Sequence, residues 1–165
     1  MNKAVVATGV VGAIALAFGV SKLSAKKHAA DKLTLNLTKF QIKSASFTSG
    51  ILFKVFLNIT NPTPTKLSFT KPFVQIFLKN EKDAPSAIAS SENDSSMVVL
   101  DGRKNTEMTI ELRLPLMAAL KLPNLLSYLV TQFLEKNAKK TKKIIVEFST
   151  KAEGINISDK SEILI

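Results

Sequence analysis

The chain has 165 residues, enough for one domain of ordinary size and too few for two comfortable ones. Lysine and arginine number 23 against 13 aspartates and glutamates, a formal net charge of +10, and cysteine is absent. That excludes a disulfide framework, a thiolate-ligated metal or cluster, a cysteine nucleophile and a lipid-modified cysteine anchor. His28 is the one histidine, which removes multi-histidine metal sites and weighs against histidine-based triads.

From Ala4 to Val20 the sequence reads AVVATGVVGAIALAFGV, 17 residues without a charge. As a helix this run is ~26 Å long, and ~30 Å with Ser21 to Leu23 added and the Lys22 stem snorkelling; a hydrocarbon core is about 30 Å thick. Three readings are open. The leading one is a single transmembrane helix over 1–23. A secretory signal is the second, with Met1-Asn2-Lys3 as its basic start and Ala15-Leu16-Ala17 as a small-x-small cleavage pattern. A helix of the soluble fold is the third. The run has no polar face, which argues against a helix lying in the interface.

Lys3 alone precedes the run, whereas Lys22, Lys26, Lys27 and Lys32 follow it. A retained span therefore leaves the C-terminal body on the cytoplasmic, positive side or its equivalent; a virion or extracytoplasmic location is the alternative. Gly9, Gly12 and Ala13 place small residues where two spans could self-associate, although small residues are common in such helices without any partner. Residues 24–32 read as a basic linker.

The body, 33–165, reads as β-rich. Leu33, Leu35 and Leu37 alternate with Thr34, Asn36 and Thr38. Ile51, Phe53, Val55, Leu57 and Ile59 form the clearest period of two, with mixed residues between them, so one face is buried and the other half wet. Further strands are expected at about 66–79, 86–91, 95–100, 105–114, 143–150 and 154–158. Turn signals separate them at Asn61-Pro62, Pro64, 80–85, Asp101-Gly102 and Glu153-Gly154, and Asp101-Gly102 is a hairpin candidate. Strands this short and this evenly spaced argue for an antiparallel two-sheet sandwich. One segment has helical periodicity instead: Leu125, Leu126, Leu129, Val130, Phe133 and Leu134 predict a helix over about 124–140, with Asn124 as cap and lysines at its end.

The segment FKVFLNITNPTPTKLSF, with Val55, Leu57 and Ile59, then Asn61-Pro62-Thr63, then Leu67 and Phe69, resembles the WHy (water stress and hypersensitive response) domain of group 2 late embryogenesis abundant proteins. The family more often has Asn than Thr after the Pro, so the motif matches in part. A strand from NTEMTIELRLPL, a helix, and closing strands from KKIIVEFSTKAEGINI follow in the same order, so the resemblance spans roughly 33 to 160. It implies a fibronectin-like sandwich with one added helix, no catalytic residues and no cofactor. The implied roles are protective, binding or structural, often beside a membrane. Asn61 and Pro62 carry over as structural residues; any sandwich can use the pair, since Pro lacks a ladder donor and Asn favours turns.

The residues that could carry chemistry have bland readings close at hand. His28 sits among lysines, remote in sequence from any nucleophile, and reads as solvated. Glu107 and Glu111 share a strand face about 13 Å apart, beyond the roughly 5 to 9.5 Å of a glycosidase pair. Glu92 and Asp94 could hold a weak cation with Asn93, but the spacing is not that of an EF-hand loop, and a plain solvated loop is by far the better reading. The chain has no phosphate-binding glycine loop and no nucleophile elbow. Of its 23 cations only Arg103 and Arg113 are arginine. Bidentate reading of bases or phosphate is therefore poorly supported, and lysine suits non-specific attraction to anionic lipid or nucleic-acid backbone. Two clusters stand out: Lys22, Lys26, Lys27 and Lys32, then Lys136, Lys139, Lys140, Lys142 and Lys143.

The expectation is a non-enzymatic, single-pass membrane protein whose β-sandwich binds, scaffolds or protects at a membrane surface. Its expected partners are the lipid bilayer, anionic lipid or nucleic-acid backbone contacted non-specifically, and other subunits of an assembly. Two alternatives are a structural subunit of a virion or envelope complex and a secreted stress-protective domain. No small-molecule substrate, metal or cofactor is expected.

Overall fold

The computed structural model describes residues 22–46, 48–78, 86–120, 127–128, 130–131, 134 and 143–164. In chain order the elements are α1 (22–31), β1 (Thr34–Ser46), β2 (Gly50–Asn61), β3 (Leu67–Thr70), β4 (Phe73–Leu78), β5 (Ser86–Ser90), β6 (Met97–Leu100), β7 (Lys104–Leu114), α2 (Leu116–Leu120), β8 (Lys143–Ala152) and β9 (Ile155–Leu164). Residues 127, 128, 130, 131 and 134 are helical as well, inside the expected 124–140 helix.

The period of two in β2 buries Ile51, Phe53, Val55, Leu57 and Ile59 together. β1 runs antiparallel beside it with register shifts between Leu37 and Lys39 and between Ile42 and Ser44. Each bulge flips the parity of the strand, so Leu35, Leu37, Phe40, Ile42 and Ala45 all lie opposite buried residues of β2. The strand thus continues well past Thr38, where strict alternation stops. β7 flanks the other side of β2, pairing from Ile51↔Leu114 to Asn61↔Lys104.

The strand expected over 66–79 is divided at Lys71-Pro72, because Pro72 has no N–H for a ladder. Both pieces follow one side of β8: β3 through Phe69↔Ala152, and β4 from Phe73↔Ser149 to Leu78↔Ile144. β9 lies on the other side of β8 and is twice as long as its apolar pattern suggested. The two-residue β8–β9 turn has positive φ at Glu153 (48°) and Gly154 (88°), the backbone that a primed turn needs and that glycine adopts without strain.

The hydrogen bonds draw one antiparallel path, β1-β2-β7-β5-β4-β8-β3-β6, with β9 on β8. Two of its links are single pairs, Ser90↔Arg113 and Phe69↔Ala152. The mainly antiparallel β class holds; a division into two sheets does not follow from the pairing. Asp101-Gly102 is not a hairpin: β6 pairs with β3 and β7 with β2, so the turn carries the chain between strands that are not neighbours. One cluster of buried side chains gathers Phe53 and Leu57 of β2, Leu112 of β7, Ile76 of β4, Phe69 of β3 and Phe148 of β8.

Residues 24–32, read as a linker, are mostly helical. The alanines of α1 are the reason: Ala29 and Ala30 are buried in the core cluster, and the helix closes through Lys32 N–H to the Ala29 carbonyl and Leu33 N–H to the Ala30 carbonyl. α2 is a short helix beyond the expected elements. Pro115 opens it, and its carbonyl accepts from the N–H groups of Ala118 and Ala119. The apolar run 4–20, with Gly9, Gly12 and Ala13, lies outside the described residues. Among those residues no helix is long and apolar enough to cross a membrane.

Candidate functional site

Asn61 ends β2 with its side chain fully buried. Its Nδ2 donates to the Thr65 carbonyl at 2.7 Å and to the Asp101 carbonyl at 3.3 Å. Its Oδ1 accepts from Thr63 N–H at 3.1 Å and Thr63 Oγ1 at 2.8 Å. Arg103 N–H donates to the Thr63 carbonyl at 2.7 Å. A Cβ on Gly102 would collide with the Pro64 carbonyl, so the loops 62–66 and 101–103 meet backbone to backbone. Pro62 is exposed and gives up no donor there. The Asn-Pro pair thus clasps two loops together and leaves Asn61 no polar atom for a ligand.

The other buried polar residues are committed in the same way. Val74 N–H donates to Ser91 Oγ at 2.9 Å, and Thr150 Oγ1 donates to the Thr70 carbonyl. Among the described residues, Asn58 Oδ1 is the buried side-chain oxygen without a partner.

The first lysine cluster lies on α1 and just after it. Lys22, Lys27 and Lys32 are exposed, as is His28. Lys26 differs: its Nζ is 3.3 Å from Glu153 Oε1, which also accepts from Ser68 N–H at 3.0 Å. That carboxylate is mostly buried and ties α1 to the β8–β9 turn and to β3, so Lys26 is not a free cation.

The register shows what surrounds this cluster. Thr34↔Thr60 and Asn61↔Lys104 place the start of β1, the end of β2 and the start of β7 at one end of the sheet. Arg103 N–H bonds the 62–66 loop, and Glu153 bonds β3, at that same end. Arg103, Lys104 and Lys151 are exposed there and extend the α1 cluster. Lys66 is exposed too but pairs with Asp101 at 3.1 Å. Sequence distance hid this assembly, since the added cations lie far downstream of Lys32. Lys143 of the second cluster is exposed at the start of β8; Lys136, Lys139, Lys140 and Lys142 lie outside the described residues.

A polar groove of about 570 Å³ opens between β2, β7 and the 90–94 loop, lined in part by Lys71, Ser91, Asp94 and Arg113. Asp94 is held at about 2, below its ordinary 3.8, by Ser96 N–H, the Ser96 hydroxyl and the Lys71 ammonium. Nearby, Glu111 Oε1 lies 2.8 Å from Lys43 Nζ and 3.2 Å from Lys54 Nζ. Those hydrogen bonds lower the Glu111 pKa, and Glu111 raises that of Lys43. Glu107 and Glu111 are both exposed on β7. The lysine partners of Asp94 and Glu111 escaped the sequence reading because strand pairing, not spacing, brings them near. No group of three or more metal-capable side chains occurs among the described residues.

No protein-family model matches the chain, and no curated protein matches it. A solved structure of a protein from Archaeoglobus fulgidus is similar at 16% identity, covering 80% of this chain and 98% of that one, with a TM-score of 0.49. A sporulation control protein from Bacillus subtilis is similar at 12% identity over 81% of this chain, with a TM-score of 0.43; this chain spans 48% of its length. A putative late embryogenesis abundant protein is also among the similar structures, at 11% identity over 95% of this chain and 88% of that one, with a TM-score of 0.34.

Proposed function

We propose that this chain is a non-enzymatic, membrane-anchored β module of the WHy and late embryogenesis abundant kind, acting by binding, scaffolding or stress protection at a membrane surface. The observation that carries the reading is the uncharged run Ala4–Val20, followed at once by the lysines of α1. The family part rests on the buried Asn61 clasp at the end of β2 and on the order of strands around it. A two-layered body accounts for a single cluster shared by β2 and β8, since one face of an uncurled sheet has nothing to bury against. Non-enzymatic action fits the use of Asn61, Ser91, Thr150, Glu153 and Glu111 on backbone groups and ion pairs.

Alkaline carbonate extraction of membranes carrying the full chain tests the anchor. Retention in the pellet is expected, and full release of intact chain contradicts it. N-terminal sequencing of the mature protein separates an anchor, which keeps Met1, from a cleaved signal and a secreted domain.

The edge strand β6 favours a second reading, a structural subunit of a larger assembly. Met97 is 59% exposed and Val99 54% on that strand, and an apolar sheet edge is a template for pairing with another chain. Stoichiometric co-purification with a particle supports this reading; a monodisperse monomer in detergent counts against it.

A further inference from the structure

We infer that the end of the sheet carrying α1 and the 62–66, 101–103 and 153–154 turns lies flat against an anionic lipid surface, with the opposite end of the strands pointing away. The inference rests on the anchored reading and adds an orientation to it. Its first ground is covalent. Ser21 alone separates Val20, the last residue of the uncharged run, from α1. α1 is no tether: Ala29 and Ala30 are buried, and Lys26 is joined to Glu153. A ten-residue helix advances only about 15 Å, so a bilayer holding 4–20 keeps this end of the body within about that distance of the headgroups.

The second ground is charge. Lys22, Lys27, Lys32, Arg103, Lys104 and Lys151 are exposed at this end with no ion pair among the described residues. The acids nearby are fewer. Asp101 is opposed by Lys66, Glu153 is spent on Lys26 and Ser68, and Asp31 is exposed on α1. Lysines gain from an anionic leaflet only within a Debye length, about 8–10 Å, so α1 brings them into that zone by lying along the surface and not by standing its full length out from it. Lysine stems also suit the task, because they present point charges to mobile headgroups without demanding a fixed geometry.

The chain has no cysteine, so one introduced thiol reports one place. Asn105→Cys sits at the proposed membrane end and Met117→Cys beyond the far end of β7, roughly 30 Å away along the strand; both positions are exposed. The full-length variants are labelled with a fluorophore and reconstituted into phosphatidylcholine vesicles containing phosphatidylserine and a headgroup-linked quencher. The expected result is several-fold stronger quenching at 105 than at 117. Added salt, or the combined Lys22→Gln, Lys27→Gln and Lys32→Gln changes, should weaken it while the chain still floats with the vesicles. A floating chain quenched equally at both sites, or more at 117, overturns the orientation and leaves the anchor standing. Quenching at 105 that ignores salt and phosphatidylserine overturns the electrostatic contact. A chain that does not float removes the anchor, and the orientation with it.

Discussion

Asn61 makes four hydrogen bonds while fully buried, two given and two received. Asn61→Ala leaves the Thr63 N–H and the Thr65 and Asp101 carbonyls without that partner, at a cost of about 2–4 kcal/mol. A urea midpoint shifted accordingly, at unchanged m, is the expected measurement; a shift worth less than about 0.5 kcal/mol denies the clasp its role. Asp94 makes a different prediction, in pH. Its folded pKa of about 2 lies below the ordinary 3.8, so its contribution to stability is present above about pH 4 and is lost as pH falls through 2. Wild type should exceed Asp94→Asn in denaturant midpoint near neutrality, and the two should converge in acid. A gap undiminished between neutrality and pH 2 contradicts the assignment. Of these two residues only Asn61 was legible as structural, because an Asn-Pro-Thr run at a strand end is a local turn signal. Asp94 reads in sequence as part of a polar loop; Lys71 lies 23 residues away and meets it through the fold.

At the scale of elements, local pattern and tertiary context divide the outcome. β2 and β7 were legible because nothing interrupts their period of two. β1 was read only to Thr38, since its two bulges flip the parity and conceal a strand of 13 residues. β9 carries Ser-Asp-Lys-Ser-Glu at its centre, and pairing with β8 rather than apolar alternation makes it a strand. α1 departs from the expected basic linker for the converse reason: its lysines carry the sequence pattern, and two alanines decide the docking. Ala30 has no exposed surface, so Ala30→Glu places a carboxylate in the core cluster and should release the helix. Trypsin then cuts after Lys26 and Lys27 far faster than in wild type, while fragments covering β2 and β8 persist. Unchanged cleavage means that the helix is not held by its alanines.

At the scale of the whole molecule, the weak links in the hydrogen-bonded path raise the question of what makes the body one unit. Ser90↔Arg113 is the one pair joining β5 to β7, and a single backbone contact contributes about 1 kcal/mol, too little to couple two blocks of strands. The shared core offers far more. Phe53 of β2 and Phe148 of β8 are each 1% exposed and belong to the same cluster. Phe53 also packs on Phe40 of β1 with ring centroids 5.5 Å apart. If that cluster is the coupling, Phe53→Ala and Phe148→Ala each lower the stability of the entire body by about 3–5 kcal/mol. Each variant, like the wild type, then unfolds in a single transition that intrinsic fluorescence of Tyr128 and far-ultraviolet dichroism follow together. Should Phe148→Ala split the curve, with β1, β2 and β7 keeping their amide protection while β4, β8 and β9 lose theirs, the two blocks are separate cooperative units. The shared apolar cluster would then be a contact between them and not the reason that the chain folds as a whole.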